Sequence, residues 1–295
     1  MKKEPSAAKP FAVELDPPSA PDLAKFLSGA QELWAHGASA ITLADCPFAS
    51  PRMDPILLAC LLQEKYGIAA LPHLTCRDRN LNAIQAALTG LSAQNVGQVL
   101  LVTGDPIPAD RRRAVKSVFN FNSRELIRFA SSLNEMLLAQ KPLRLFAALN
   151  VNALNFQHEL IRAREKELAG AYGFFTQPVL TDAALLNLRE ARKVLNGQIY
   201  GGIMPIVSEK NALHLSREVS GIRVDPAIAA AYAGADRARG EELAVEISTR
   251  FAGEMEASVD GFYLITPFGR TALICRIMDS IRALGENEAS AGSSL

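Results

Sequence analysis

The stretch Val99-Leu-Leu-Val-Thr-Gly-Asp-Pro106 is an apolar run that ends at glycine, aspartate and proline. A short run of branched aliphatic residues followed by turn residues predicts a strand that is buried on both faces, as in a parallel sheet. Such a strand delivers Asp105 at its carboxyl end. No cation lies nearby in sequence, so two interpretations of Asp105 stay open: a functional carboxylate, or a residue that initiates a turn or caps a helix.

The same pattern of an apolar strand with a polar end recurs along the whole chain, and a helical pattern follows nearly every strand. The predicted strands are 11–16, 39–45, 69–76, 98–105, 144–150, 173–179, 199–206 and 261–268. Eight alternations in a chain of 295 residues predict an α/β protein with a single (β/α)8 TIM barrel. A doubly wound sheet is less favoured, because no Gly-x-Gly-x-x-Gly follows the first strand.

The barrel is predicted to span residues 11–284, between a flexible arm at 1–10 and a disordered tail at 285–295. Lys+Arg and Asp+Glu are equal at 31 each, which does not favour a nucleic-acid partner. No run reaches membrane-spanning length, and the amino-terminal residues do not resemble a leader, so we expect a cytoplasmic protein without a membrane span. The four cysteines and four histidines are scattered, so no disulfide framework and no metal site are expected.

The residues at the strand ends, most of them polar, are the candidates for an active site, because barrel active sites lie at the carboxyl ends of the strands. They are Glu14, Asp45, His73, Thr75, Asp105, Asn150, Asn152, Gln177, Pro205 and Thr266. The set holds neither a nucleophile with its base nor three metal ligands. Amide and hydroxyl groups with two carboxylates could orient a planar heterocycle, which suits chemistry that a bound cofactor carries out.

Each of these residues also has a structural interpretation that the sequence leaves open. Glu14 could be an interior acid paired with a cation, His73 a hydrogen-bonded core histidine, and Gln177 an amide that satisfies backbone groups at a strand end. The segment Pro106 to Phe121 is long for a connection between a strand and a helix, and such loops are usually functional.

Five short motifs occur in order, each at the end of a predicted strand. They are Glu14-Leu-Asp-Pro-Pro18, Pro72-His-Leu-Thr-Cys76, Thr103-Gly-Asp-Pro106, Phe175-Thr-Gln-Pro178 and Gly202-Ile-Met-Pro205. Together they resemble the methylenetetrahydrofolate reductase family, over almost all of the chain from Glu14 to about Ile281. Stretches such as Cys76-Arg-Asp-Arg-Asn-Leu81 are most similar to the reductase module that some bacteria fuse behind a homocysteine methyltransferase domain.

The resemblance implies a flavin-containing barrel of one-carbon metabolism that reduces 5,10-methylenetetrahydrofolate to 5-methyltetrahydrofolate. The flavin would be FAD, with FMN as the alternative, and the electron donor NADH or NADPH. The donor and the folate would use one face of the flavin in turn.

The resemblance also implies roles for individual residues. Glu14 matches the acid that protonates the departing folate nitrogen. Asp105 matches an aspartate near both flavin and folate, where it modulates the reactivity of the flavin, and Gln177 matches a glutamine that contacts substrate. The residues implied in flavin binding are Asp45, His73, Thr75, Asp105, Asn150, Asn152, Glu159 and Lys166.

Two other functions stay open at this point. The chain could be a flavin- or folate-binding subunit of a larger methyl- or electron-transfer complex that needs a partner for reduction. It could also be a barrel lyase or transferase that acts on a pterin without flavin. Whether the protein forms a homo-oligomer or binds a partner subunit is likewise left open.

Overall fold

Eight parallel strands form one closed barrel in the order of the sequence. The structure is a computed structural model that describes residues 9–219 and 221–292. The strands are β1 (Phe11–Glu14), β2 (Ala40–Leu43), β3 (Ala70–Thr75), β4 (Gln98–Val102), β5 (Arg144–Leu149), β6 (Gly173–Pro178), β7 (Gln198–Ile203) and β8 (Gly261–Ile265). The predicted single (β/α)8 barrel is confirmed.

Helices surround the barrel and bury an apolar shell against the outer faces of the strands. They are α1 (Ala24–Ala35), α2 (Pro55–Tyr66), α3 (Leu81–Ala93), α4 (Ser123–Met136), α5 (Phe156–Leu168), α6 (Asp182–Val194), α7 (Glu209–Glu218), α8 (Pro226–Ala231), α9 (Arg237–Met255) and α10 (Thr271–Gly292). Side chains fix where several of them begin. Asp54 caps α2 by accepting from the backbone of Ile56 at 2.7 Å, and Asn122 with Glu125 forms a capping box on α4.

The inside of the barrel is closed by an apolar plug. Alternate residues of each strand point inward, and those at the level of the plug are Ala12, Leu71, Leu100, Phe146, Phe175 and Tyr263. The ring of Phe175 stacks on that of Tyr200 with centroids 4.8 Å apart and meets Tyr263 edge-on at 5.0 Å. The plug therefore forms an apolar floor beneath the carboxyl ends of the strands.

Polar residues lie directly above this floor. Glu14 and His73 each follow a plug residue by two positions on its own strand, so the strand period directs them to the same side. An apolar floor with a polar layer above it is the arrangement that places a site at the carboxyl-end mouth.

The two ends of the chain differ from the expected arm and tail in the part that is described. Lys9 Nζ donates to the carbonyl of Val259 at 2.6 Å, which holds the end of the arm against the barrel, while residues 1–8 lie outside the described residues. The closing helix α10 continues past the expected end near Leu284 to Gly292. Residues 293–295 lie outside the described residues. In the described part of the chain, no helix is long and apolar enough to cross a membrane.

Candidate active site

Glu14 is the last residue of β1, and its carboxylate lies at the centre of a small polar group. The hydroxyl of Tyr263, on the neighbouring strand β8, donates a hydrogen bond to Glu14 Oε2. His73 Nε2, from β3, lies 3.8 Å from the same oxygen. The side chain of Glu14 is 16% exposed and that of His73 is 11% exposed, so both are largely removed from water while remaining open to the mouth.

This environment favours the neutral forms of both groups. Burial raises the pKa of Glu14 to about 7, the negative charge of Asp16 adds to the rise, and the hydrogen bond from Tyr263 opposes it. Burial lowers the pKa of His73 to about 3, so the imidazole is neutral near pH 7 and does not form an ion pair with Glu14. Glu14 can consequently hold and release a proton near neutral pH, as a general acid must.

Asp45, which follows β2, is buried, and one of its carboxylate oxygens accepts several hydrogen bonds from protein groups. Its Oδ2 accepts hydrogen bonds from the backbone nitrogen and the hydroxyl of Thr75, both at 2.9 Å, and from Arg79. The same guanidinium reaches Asp54 Oδ2 at 3.1 Å. The charge of Asp45 is thus compensated within the protein, and the group ties the end of β2 to the end of β3.

Asp105 obtains its partner from a distant loop. Its Oδ2 accepts from the backbone nitrogen of Phe48 at 2.9 Å, so the carboxylate after β4 holds the loop after β2. Gly104 has φ +91°, and a Cβ there would lie 3.0 Å from Thr75 Cβ, which explains why glycine precedes the aspartate. Within the described residues, Oδ1 of Asp105 has no protein donor and Asp105 is exposed.

A buried arginine that the sequence did not single out connects these loops. The side chain of Arg77 is 1% exposed and donates to the carbonyl of Cys46 at 3.2 Å and to that of Asp105 at 3.3 Å. Asp78 pairs with the guanidinium at 2.6 Å. The carbonyl of Arg77 in turn accepts from the backbone of Val118, in the long loop, at 2.7 Å. Arg77 therefore fixes the ends of β2, β3 and β4 relative to one another.

The residues predicted after β5 form a second group. Asn150 Oδ1 accepts from the backbone of Asn152 at 3.0 Å, and the backbone nitrogen of Asn150 donates to Glu159 at 3.1 Å. Asn152 Nδ2 donates to the carbonyl of Pro178 at 2.9 Å. Lys166 Nζ donates to the carbonyl of Ala148 at 2.7 Å, and burial lowers its pKa. Glu159 and Lys166, both on α5, thus hold the backbone at the end of β5 through hydrogen bonds.

Gln177 lies where β6 is irregular. The register between β6 and β7 shifts between Phe175 and Pro178, which re-aims the side chain between them. A Cβ on Gly202 would lie 2.7 Å from the carbonyl of Thr176, so glycine is what allows this close approach. A Cβ on Gly221 would lie 3.8 Å from Gln177 Cδ and 3.5 Å from Asn150 Nδ2, so these two amides flank the same glycine.

The structure thus brings the predicted residues into three groups around one mouth. Glu14 and His73 lie together, Asp45 and Thr75 lie together, and the amides of Asn150, Asn152 and Gln177 share the side formed by β5 and β6. No cluster of three or more potential metal ligands occurs among the described residues. Tyr263 was not predicted as a site residue, although the sequence allows the prediction. Barrel closure pairs β8 with β1, and strand alternation turns Tyr263 inward with Glu14.

Several buried polar atoms at this mouth have no protein partner among the described residues. They include His73 Nε2, Asn152 Oδ1 and Thr266 Oγ1. Buried polar groups are normally hydrogen-bonded, so these unpaired atoms indicate a place for a polar ligand or water. With Glu14 as a proton donor and an apolar floor beneath, the mouth suits a heterocycle that carries several hydrogen-bonding groups.

Solved structures with the same fold include an uncharacterized protein from Clostridium thermocellum that binds two copies of 5-methyl-5,6,7,8-tetrahydrofolic acid. It has a TM-score of 0.65 and 14% identity over 94% of this chain and 96% of that chain. Yersinia pestis DHPS, solved with a pterine-sulfa conjugate, has a TM-score of 0.52 and 10% identity over 95% of each chain. A 2,3-dimethylmalate lyase has a TM-score of 0.51 and 11% identity over 95% of this chain and 81% of that chain. At these identities the likeness is one of fold.

Comparison with curated protein sequences found no match. The sequence model of the family described as "Methylenetetrahydrofolate reductase" matches residues 2–282. That span contains all eight strands and every group of residues at the mouth. The chain therefore belongs to the methylenetetrahydrofolate reductase family.

Proposed function

We propose that this protein is a flavin-dependent methylenetetrahydrofolate reductase that converts 5,10-methylenetetrahydrofolate to 5-methyltetrahydrofolate, with NADH or NADPH as electron donor. The observation that carries the proposal is Glu14, a protonatable carboxyl group at the barrel mouth with a pKa raised to about 7, in a chain of this family. The proposal includes FAD as the flavin and the cytoplasm as the place of action.

Glu14 acts as the general acid in this proposal. Opening the five-membered ring of the folate requires a proton on the nitrogen that leaves the methylene carbon, and a carboxyl group with a pKa near 7 can supply it at neutral pH. The apolar floor keeps the carboxyl group neutral until the substrate nitrogen accepts the proton. Tyr263 orients the carboxyl group, and neutral His73 completes the wall beside it without introducing a competing charge.

The polar atoms of the mouth fit a flavin. His73 Nε2 and Asn152 Oδ1 are buried without protein partners in the described chain, so these two side chains would hold the flavin, with the exposed Asp105 beside them. When bound, the flavin supplies the chemistry of taking a hydride from the nucleotide and passing one to the folate carbon.

The other residues implied in flavin binding contribute through the shape of the site. Asp45 and Thr75 fix the end of β2 against β3, while Glu159 and Lys166 hold the backbone at 148–150. Asn150 holds the turn that presents Asn152. Gln177, which flanks Gly221 together with Asn150, is the residue that contacts the substrate.

A Glu14→Gln variant tests the proposal by separating the two half-reactions. The amide keeps the size of the side chain and can still accept the hydrogen bond from Tyr263, but it cannot donate a proton as an acid. We expect reduction of bound flavin by NADH or NADPH to be retained, while single-turnover reduction of the folate falls by about 10²–10⁴.

Asp182→Asn is the matched control, since this carboxylate lies in the first turn of α6 outside the groups at the mouth. It should leave both half-reactions unchanged. Folate reduction at the wild-type rate in Glu14→Gln would remove Glu14 from the role of general acid. A bound flavin that neither nucleotide reduces would instead indicate a subunit that needs a partner to supply electrons.

A further inference from the structure

Left-handed backbone at residues other than glycine is concentrated at the mouth of the barrel. Among the described residues, six that are not glycine have positive φ, and only Asn95 of these lies at the opposite end. The other five lie on loops that follow strands, namely Cys46, Phe48, Ala49, Phe119 and Phe268. Residues with a Cβ disfavour this conformation, and a bulky side chain there is a genuine outlier that is often associated with function.

Three of these residues are phenylalanines with exposed rings. Phe48 has φ 53° and is 60% exposed, Phe119 has φ 43° and is 39% exposed, and Phe268 has φ 52° and is 73% exposed. Each position therefore combines an unfavourable backbone with an aromatic ring left in water, which forgoes the gain from burial. The strained backbone and the exposed ring both destabilise the folded protein at these three positions, so we expect a stabilising contact with the rings that the chain alone does not provide.

The backbone at two of these phenylalanines is held in a hydrogen-bonded turn. Phe48 follows Pro47 and Phe268 follows Pro267, and each pair lies in a single turn of 3-10 helix. Both turns are closed by a bond of 3.0 Å to the proline carbonyl, from Ser50 in one and Arg270 in the other.

The backbone nitrogens of two of these phenylalanines also donate hydrogen bonds to groups near the ends of β3 and β4. The backbone nitrogen of Phe48 donates to the carboxylate of Asp105 at 2.9 Å. That of Phe119 donates to the carbonyl of Cys76, just after β3, at 3.2 Å. These hydrogen bonds fix the backbone of the loops that carry the two rings.

Two of the three rings lie on the loops beside the end of β1, and Phe119 lies on the loop after β4. Strand β1 pairs with β2 on one side and β8 on the other, so the loops that carry Phe48 and Phe268 flank Glu14. We name Phe48, Phe119 and Phe268 the aromatic collar. We propose that the collar binds the face of a planar nitrogen heterocycle, and that its occupant is the pterin ring of the folate; this assignment rests on the proposed function.

Stacking on an aromatic face explains what the collar gains from exposed rings. Aromatic side chains stack on flat heterocycles with little demand on their hydrogen-bonding pattern, so the collar supplies affinity while the amides and Glu14 supply orientation and chemistry. Proline before two of the rings limits the conformational freedom that binding would otherwise remove.

The test is anaerobic calorimetric titration of the FAD-loaded protein with 5-methyltetrahydrofolate. Phe48→Leu and Phe268→Leu keep an apolar side chain but remove the aromatic face, and we expect Kd to rise by about fivefold or more in each. Phe268→Tyr should bind like the wild type, because it keeps the ring. Leu154→Ala is the matched control: Leu154 is 91% exposed on the loop after β5 and is not aromatic. It should leave Kd unchanged.

A Phe268→Gly variant separates a binding role from a structural one. Glycine adopts positive φ without strain, so we expect its melting temperature not to fall while folate affinity is lost. A ring that serves only the fold would give the opposite result, a lower melting temperature with unchanged Kd, and would overturn the proposal.

A parallel titration of the flavin-free protein with FAD identifies the occupant of the collar. Unchanged FAD affinity with weakened folate binding supports the pterin, whereas a loss confined to FAD overturns the assignment to pterin. Wild-type folate affinity in both leucine variants would refute the collar while leaving the proposed function intact. A wild-type protein that binds no folate would contradict the proposed function itself and remove the basis of the collar.

Discussion

The hydroxyl of Tyr263 in β8 donates a hydrogen bond to the carboxylate of Glu14 in β1, across the seam where the first and last strands of the barrel meet. The ring of Tyr263 belongs to the apolar floor, and its oxygen belongs to the polar layer. One side chain thus links the floor that raises the pKa of Glu14 to the carboxyl group itself. Barrel closure therefore sets the environment of the Glu14 carboxyl group.

Replacing Tyr263 by phenylalanine should shift the pH dependence of folate reduction to higher pH. The hydrogen bond from Tyr263 stabilises the ionised carboxylate and lowers the pKa of Glu14, so its removal leaves burial and Asp16 to raise that pKa further. The measurement is the single-turnover rate between about pH 6 and pH 9. A descending limb at the wild-type pH, or at lower pH, would show that this hydrogen bond does not tune Glu14.

Glu14 should make the protein less stable as pH rises. Its pKa is about 7 in the folded protein against the ordinary value of 4.5 for a glutamate side chain, so the folded state retains a proton that the unfolded state has already released. Its contribution to stability is full below about pH 4.5 and is lost as pH rises through 7.

Urea unfolding of the wild type and Glu14→Gln at about pH 5 and about pH 8 measures this effect. We expect the stability advantage of the variant to grow by about 2–3 kcal/mol between the two pH values. An advantage that is the same at both would mean that Glu14 ionises normally in the folded state.

Asp105→Asn should affect the folate half-reaction more than it affects the fold. An asparagine oxygen can still accept from the backbone nitrogen of Phe48, so the stability change should be below about 1 kcal/mol. The lost negative charge should slow single-turnover folate reduction by about tenfold or more. Asp110→Asn, on the exposed part of the same loop, is the control. An unchanged folate half-reaction in Asp105→Asn would refute the role of the charge.

Arg77→Met should destabilise the protein strongly although Arg77 is not assigned any contact with ligand. Its removal leaves the carbonyls of Cys46 and Asp105 without their donor and Asp78 without its partner, which should cost about 3 kcal/mol in free energy of unfolding. The exposed Arg113→Met on the long loop should change stability by less than about 0.5 kcal/mol. Equal stability in the two variants would contradict the account of Arg77.

The sequence was sufficient for the fold because its information is local. Each strand is a short apolar run with a polar end, so counting the alternations gives the barrel and predicts which residues lie at the mouth. Glu14 and His73 could be predicted in this way, because each lies at or near the end of its strand. The end of α10 at Gly292 was not predicted, because residues 285–292 mix alanine and glutamate with glycine, asparagine and serine.

The contacts within the site could not be predicted, because they join residues that are distant in sequence. Asp105 binds the backbone of Phe48, and Arg77 reaches two carbonyls on other loops. A backbone partner leaves no pattern in the side chains, and positive φ at Phe48 and Phe268 has no signature in residue type. Such features follow from how the loops pack above the closed barrel.

The most direct measurement is the visible absorbance spectrum of the purified protein, reconstituted with FAD and titrated anaerobically with NADH, then NADPH, then 5,10-methylenetetrahydrofolate. If the protein is a flavin-dependent reductase, one of the nucleotides bleaches the flavin spectrum and the folate restores it, with 5-methyltetrahydrofolate as product. A protein that binds no flavin after reconstitution, or whose reduced flavin is not reoxidised by the folate, would contradict the proposed function.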